Sequence, residues 1–386
     1  MKFWHKIASF LLIACMLSVQ LPVAAGEGGE PEITAQSAII IEASTGRVIW
    51  EKNADARMYP ASMTKMMTGI LALEQMNLRS PIVMSPAAAY TESSPLGVLP
   101  GETIRTDELL NGMLLESDNG AAVALAESMA GSVSSFANIM NGKAEKLGMK
   151  DTHFVNPNGL TAEGHYSTAR DMAKLARYAM QNQAFRDIVK QEQRTIYWTS
   201  PGNKTFRAHN TNKLLGKYEG MTGIKTGWTN AAGGCLATGA QRNGVELIVV
   251  LMKTPTPTPD DRFKDAEKLL DYGFSHVKMS KALSKERTRH RVWVTNGQEA
   301  STHVYPAKDI AYPLINGEDK SKYSLAYDVP KVVSAPLKAG TPVGNIVVRY
   351  NGEAVEQVPM LSEQVNSGFS IGSWLVQAFS WAINLV

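Results

Sequence analysis

Cysteine is scarce: the 386-residue chain carries two, Cys15 and Cys235. Cys15 falls in an N-terminal stretch that reads as removable. The remainder then has no partner for an internal disulfide, and a chain this long buries enough apolar surface to do without one. An excess of charge of one sign is also missing. Lysine and arginine number 39, aspartate and glutamate 36. Without Lys2 and Lys6 the balance is 37 against 36, a net charge of +1, which argues against a nucleic-acid binder. Metal-ligand spacing is absent. The histidines at 153, 165, 209, 276, 290 and 303 form neither His-Glu-x-x-His nor His-x-x-x-His, so neither a metal nor another cofactor is expected. His153 and His165 flank turns and read as structural hydrogen-bonders. No internal repeat is visible.

The N-terminus has the three parts of a secretory signal, residues 1–25. Lys2, His5 and Lys6 precede an apolar run over 7–19, and Val23-Ala24-Ala25 offers small residues for a cut after Ala25. The run is short for a retained membrane helix and ends in Pro22 and small residues. Leu12-Ile13-Ala14-Cys15 has the outline of a lipoprotein cleavage box, but the apolar run continues past Cys15, which favours the later cut.

Residues 37–42 and 47–50 flank Ala43-Ser44-Thr45-Gly46 as a strand hairpin. Residues 109–115 read as a helix that stops at Glu116-Ser117-Asp118-Asn119-Gly120, and 121–126 resume as a buried helix. Another helix opens at Ser167-Thr168-Ala169 and runs to about 180. Asn243-Gly244 joins two apolar runs in a second hairpin. The Thr-Pro alternation over 254–259 reads as a loop. Residues 262–272 read as a helix with Gly273 as its stop. Composition changes near 278. The basic segment 278–291 reads as a solvated junction, and short β-rich runs with Asn-Gly turns at 296–297, 316–317 and 351–352 follow. The expectation is a mixed helix-and-sheet domain over 26–278 and a small all-β domain over 279–362.

Pro60-Ala61-Ser62-Met63-Thr64-Lys65 leads into an apolar-periodic run over 66–73, which predicts a helix opening at Ser62. A serine and a lysine three residues apart share one face, so the amine reaches the hydroxyl. A lysine whose pKa is lowered by desolvation or a nearby cation can activate a serine. Alone, such a pair is more often a capping serine beside a solvated lysine. Two further motifs change the odds. Ser117-Asp118-Asn119 sits in a turn between helices, and Lys225-Thr226-Gly227 runs into a strand hairpin. The three in this order match the signature of penicillin-binding proteins and class A β-lactamases.

With Asn156-Pro157-Asn158-Gly159-Leu160, the run over 165–173 and Lys225-Thr226-Gly227-Trp228-Thr229, the chain resembles the low-molecular-weight penicillin-binding proteins. More narrowly it resembles serine-type D-alanyl-D-alanine carboxypeptidases, from about 33 to 275 and more loosely beyond. The resemblance implies an α/β (α+β) β-lactamase-like transpeptidase fold, an antiparallel sheet with a helical subdomain. It implies that Ser62 attacks the D-Ala-D-Ala bond of a peptidoglycan stem pentapeptide, with Lys65 as proton acceptor and Ser117 as relay beside Lys225. Asn119 would hold Lys65 and the substrate amide. Thr226 and Arg262 would take the terminal carboxylate, and Gly227 and Trp228 would line the substrate strand. The N–H groups of Ser62 and Trp228 would form the oxyanion hole. β-Lactams would acylate the same serine. The chain departs from the family at Gly120, where many relatives carry aspartate, and at Gly234, where an aromatic is usual. Cys235, next to it, reads as a small buried hydrophobe that could lie near the site.

A β-lactamase shares the three motifs but needs a second carboxylate to activate water, and Glu163 is the near candidate between the second and third motifs. It also has no use for a β domain and tail. An inactive wall-binding scaffold would not need Ser62, Lys65, Ser117, Asn119 and Lys225 intact. Residues 363–386 carry no charged side chain after Glu363. On a helical wheel Ser373, Gln377, Ser380 and Asn384 form a polar stripe opposite Ile371, Trp374, Leu375 and Phe379. The segment is too short and interrupted to span a membrane. It reads either as a helix packed on its own β domain or, better, as one lying in the membrane interface, which the family's C-terminal anchor also implies. The expected location is the outer face of the cytoplasmic membrane.

Overall fold

The computed structural model describes residues 29–255 and 260–385, with side chains as far as residue 380. The expected signal peptide with Cys15, and residues 256–259 of the Thr-Pro loop, lie outside the described residues. Five antiparallel strands form the central sheet: Ser37–Glu42 (β1), Val48–Lys52 (β2), Met221–Thr229 (β3), Gly233–Arg242 (β4) and Val245–Thr254 (β5). Their order is β2-β1-β5-β4-β3, so β3 is an edge strand. Both expected hairpins form. In the first, the Glu42 carboxylate accepts the Thr45 N–H at 2.9 Å and the Thr45 hydroxyl at 2.6 Å. In the second, Asn243 and Gly244 have φ of 51° and 81°, as the tight primed turn requires.

Alternate residues of β1 enter two cores. Ile39 and Ile41 pack with the helices Lys65–Gln75 (α1), Thr106–Leu115 (α2), Asn119–Ala130 (α3) and Ala169–Gln181 (α4). Ile40 packs on the other face with Asp261–His276 (α5). A strand covered on both faces reads as a continuous apolar run, and β1 is buried along its whole length. Gly273 is not the stop that its position suggested. The helix α5 continues to His276, and a Cβ on Gly273 would lie 2.4 Å from Ile40 Cδ1. The glycine is there because the helix rests closely on the sheet.

The basic segment also differs from expectation. Val277–Leu283 is a strand paired antiparallel with Ile310–Ile315. Val277 and Met279 face the core under α5 while Lys278 between them is exposed, a period of two that the lysine obscures and that the irregularity after Lys281 interrupts. Beyond it the all-β region forms as predicted. A six-stranded sheet runs in the order Tyr323–Asp328, Pro342–Tyr350, Glu353–Ser362, Ser301–Pro306, His290–Thr295 and Val332–Ser334. Val292, Val304, Ile346, Val348, Val358 and Met360 fill its core. Arg47 of the first hairpin ties this region to the central sheet. Its NH2 donates to Glu318 Oε2 at 2.8 Å, and its guanidinium lies 3.6 Å from the Tyr350 ring centroid.

The chain ends in the helix Ile371–Leu385 (α6). Ser373 and Val376 are buried, and Ser373 Oγ accepts the Gly297 N–H at 3.1 Å. Ser373 of the polar stripe therefore faces the β domain. Ile371, Trp374, Leu375 and Phe379 are exposed, with Trp374 at 56% and Phe379 at 53%. Asn384 and the apolar positions beyond residue 380 lie outside the described side chains. Among the described residues, no helix is long and apolar enough to cross a membrane.

Candidate active site

Ser62 does not cap a helix. Ala61–Thr64 forms a 3₁₀ turn, and α1 begins at Lys65. The i,i+3 relation survives, because a 3₁₀ turn brings those two positions into line. Lys65 Nζ lies 2.9 Å from Ser62 Oγ. The same nitrogen donates to Asn119 Oδ1 at 2.6 Å and to the Asn158 carbonyl at 2.7 Å. Both partners can only accept. A neutral amine has two N–H bonds and one lone pair, which leaves the lone pair for the Ser62 hydroxyl. Lys65 is fully buried. That burial, and then the Lys225 charge, hold its pKa well below the ordinary lysine range against the pull of Asp118.

A loop and the edge strand β3 frame this pair. In Asn156-Pro157-Asn158-Gly159-Leu160, Asn156 Oδ1 accepts the Gly159 N–H at 2.7 Å and Asn158 Oδ1 the Leu160 N–H at 3.0 Å. Gly159 has φ 87°, and a Cβ there would lie 2.0 Å from the Ala61 carbonyl oxygen, so the loop presses on the Ser62 turn. Gly227 supports the other side, where a Cβ would lie 3.0 Å from Ser62 N. The second motif belongs to the start of α3. Asp118 caps it, accepting the Ala121 N–H at 2.7 Å, and also accepts the Leu96 N–H at 2.8 Å. Gly120 leaves no room for the aspartate of many relatives: a Cβ would lie 2.6 Å from the Ala88 carbonyl oxygen. Ser117 stands at the turn with φ 67°. Asn119 Nδ2 donates to the Glu92 carbonyl at 2.9 Å, which fixes the amide that meets Lys65.

Lys225 is buried on β3 and donates to the Thr226 carbonyl at 3.1 Å. Burial, then the Arg262 charge, pull its pKa down to about 7, opposed by Glu116. Arg262 rises from the first turn of α5, and its NH1 donates to the Gly227 carbonyl at 2.7 Å. Its Nε has no partner among the described residues. Trp228 is 47% exposed.

A cleft of about 600 Å³ joins these groups; Ser62, Ser117, Asn119, Thr226, Gly227, Trp228 and Arg262 all line it. Lys65 and Lys225 lie buried beside it. Every residue expected at the site is thus brought together. Glu163 is exposed and is not part of the cleft wall; the carboxylate that lines the cleft is Glu116, whose Oε1 accepts the His209 N–H. Sequence reasoning did not find Glu116, Thr211, Ser93 or the Asn158 carbonyl. Glu116 precedes the second motif directly, which was the available signal. Cys235 is buried opposite Gly227 in the β3–β4 pairing, and burial pushes its thiol up to about 11. His165 is buried. Its Nδ1 accepts the Val155 N–H at 3.1 Å, so Nε2 carries the proton toward Thr64 Oγ1, 2.9 Å away. Burial lowers its pKa to about 4, so it stays neutral at pH 7.

The profile of the D-alanyl-D-alanine carboxypeptidase family matches residues 25–256, and that of the penicillin-binding protein 5 C-terminal domain matches 278–366. The chain is 33% identical to the D-alanyl-D-alanine carboxypeptidase DacF of Bacillus subtilis, over 93% of this chain and 94% of the relative. It is 32% identical to DacC of Escherichia coli, over 89% and 87%. The crystal structure of penicillin binding protein 5 from Haemophilus influenzae superposes with a TM-score of 0.63 at 28% identity, covering 87% of this chain and 99% of that one. The matched profile embraces all three motifs and stops short of the helix that supplies Arg262, and on this ground the chain belongs to the D-alanyl-D-alanine carboxypeptidase family of serine-type peptidases.

Proposed function

We propose that the protein removes the terminal D-alanine from peptidoglycan stem pentapeptides through an acyl-enzyme on Ser62, and so limits cross-linking. The observation that carries this is the buried Lys65 amine, 2.9 Å from Ser62 Oγ and held by two carbonyl acceptors. Ser62 Oγ attacks the carbonyl between the two D-alanines and passes its proton to Lys65. The N–H groups of Ser62 and Trp228 receive the oxyanion; donors so placed are worth about 2.7–4 kcal/mol in the transition state. The C–N bond breaks as Lys65 gives that proton up through Ser117 to the leaving amine, with Lys225 as the cationic neighbour of Ser117, and Lys65 is neutral again. Asn119 holds Lys65 and receives the substrate amide. Thr226 and Arg262 bind the terminal carboxylate. Water then attacks the ester, losing a proton to Lys65, and Ser62 departs with one. β-Lactams acylate Ser62 in the same way.

Purified protein should release one D-alanine per stem pentapeptide and hydrolyse penicillin slowly. Rapid turnover of penicillin with no D-alanine released would favour the β-lactamase reading instead.

The chain divides, on this reading, into a removed segment 1–25, a catalytic domain 26–278, a β domain 279–362 and an anchor 363–386. Export places it at the outer face of the cytoplasmic membrane. The exposed Ile371, Trp374, Leu375 and Phe379 support the anchor, since a face of that size and aromatic content suits the membrane interface. With no lysine or arginine in the segment, apolar burial would dominate over attraction to anionic lipid. Deleting residues 364–386 should give an active enzyme that no longer sediments with liposomes, and raised salt alone should not release the full chain. A full-length mature protein that stays in the aqueous phase would refute the anchor.

A further inference from the structure

We infer that Thr211 is a specificity-determining residue for the substrate's terminal carboxylate, acting as one half of a two-hydroxyl clamp with Thr226. This rests on the carboxypeptidase reading above. Thr211 Oγ1 lies 2.6 Å from Thr226 Oγ1, and both residues line the cleft that holds Ser62 and Arg262. Two hydroxyls bonded to each other use one proton between them. Whichever donates, one O–H stays free for the cleft, and it is the stronger donor because its own oxygen accepts a bond. A carboxylate is the ligand such a group suits best.

Arg262 alone does not account for carboxylate recognition. Its NH1 donates to the Gly227 carbonyl at 2.7 Å, its NH2 lies 3.7 Å from Asp260 Oδ1 and its Nε is buried, so neither edge of the guanidinium presents a free two-pronged fork to the cleft. A donor pair next to it supplies the missing direction.

The segment carrying Thr211 is built to hold it still. Asn210 Nδ2 donates to the Val189 and Gln191 carbonyls, both at 3.0 Å. Asn212, itself buried, donates from Nδ2 to the Gly223 carbonyl at 2.8 Å, and its Oδ1 accepts the Leu214 N–H at 3.1 Å. Thr211 N donates to the Leu115 carbonyl at 3.2 Å, two residues before Ser117. Thr211 is therefore pinned to the end of α2, to the start of β3 and to the segment after Val189. Side chains that must hold a geometry are supported in this way.

The test compares two substrates sharing one acyl-D-alanine group. One is a peptide ending in D-alanine with a free carboxylate. The other is an activated ester with a neutral leaving alcohol. Thr211→Val should lower kcat/KM for the free acid by about ten-fold or more, chiefly through KM, and leave the ester within about two-fold. Thr211→Ser should restore the free-acid rate. Thr211→Ala, which adds no methyl group facing Thr226, should behave as Thr211→Val does, and both should melt within a few degrees of the wild type. Equal losses on both substrates, or no loss on either, would overturn the clamp. A wild-type protein that cleaves neither substrate would instead sink the carboxypeptidase reading on which the clamp depends.

Discussion

Ser62→Ala should abolish covalent labelling by a fluorescent penicillin while leaving the melting temperature near that of the wild type. Among the described residues the Ser62 hydroxyl has Lys65 as its one side-chain partner and makes no capping bond. The turn it occupies is held by other groups: Met63 N donates to the Pro60 carbonyl at 3.3 Å, and Ala61, Met63 and Thr64 are buried. Losing the hydroxyl leaves Lys65 with its two carbonyl acceptors, so the expected stability change is at most about 1 kcal/mol. The chemical loss should be complete, because among the described hydroxyls lining the cleft it is Ser62 that bonds the Lys65 amine. Labelling gels run alongside melting curves decide it; a labelled band surviving in Ser62→Ala would remove Ser62 from its role.

The second large effect belongs to Lys65. Lys65→Met keeps the length of the side chain and removes the base. Free-enzyme acylation should fall by about 10²–10⁴-fold, the range for a positioned proton acceptor. Asn119 Oδ1 and the Asn158 carbonyl lose their donor, which costs about 1–3 kcal/mol of stability, so the measurement belongs well below the melting temperature. The pH profile of kcat/KM carries the sign. Lys65 acts when neutral, so the rate rises as pH climbs through its lowered pKa. Lys225 acts when charged, so the rate falls again as pH climbs through about 7 in the free enzyme. Lys225→Arg keeps a cation at all working pH values and should remove the falling limb while the rising limb stays. A Lys65→Met enzyme at the wild-type rate, or a falling limb unmoved in Lys225→Arg, would show that the two lysines do not divide the work in this way.

Much of the site was legible because its residues belong to short local patterns. Ser62 and Lys65 stand one turn apart in a helix or a 3₁₀ turn alike, so mistaking where α1 begins did not disturb the pair. Ser117, Asn119 and Lys225 followed from their order along the chain and from the elements around them. What stayed hidden came from tertiary approach. Asn158 contributes a backbone oxygen, which no side-chain motif can display. Thr211 meets Thr226 because Asn212 pins its loop to β3 and Asn210 pins it to the segment after Val189, and its own segment carries no pattern that announces chemistry. Gly273 resembled a helix stop because a glycine after an apolar run usually is one; the closeness of Ile40 that requires it appears only when α5 lies on the sheet. The strand Val277–Leu283 was masked by Lys278 and Lys281, whose charge dominates the composition while Val277 and Met279 carry the buried side. In the tail, amphipathicity was readable, but the wheel alone did not say that Ser373 bonds the β domain while Trp374 and Phe379 remain outside.

The most direct measurement is to locate the acyl group. The mature protein is incubated with penicillin, denatured in acid, digested, and its peptides are mapped by mass spectrometry. The account predicts a single penicilloyl adduct, on the peptide spanning Pro60 to Lys65 and assigned by fragmentation to Ser62, and less of it when a D-Ala-D-Ala pentapeptide competes. An adduct on any other residue, or none on a protein that still releases D-alanine from the pentapeptide, would contradict it.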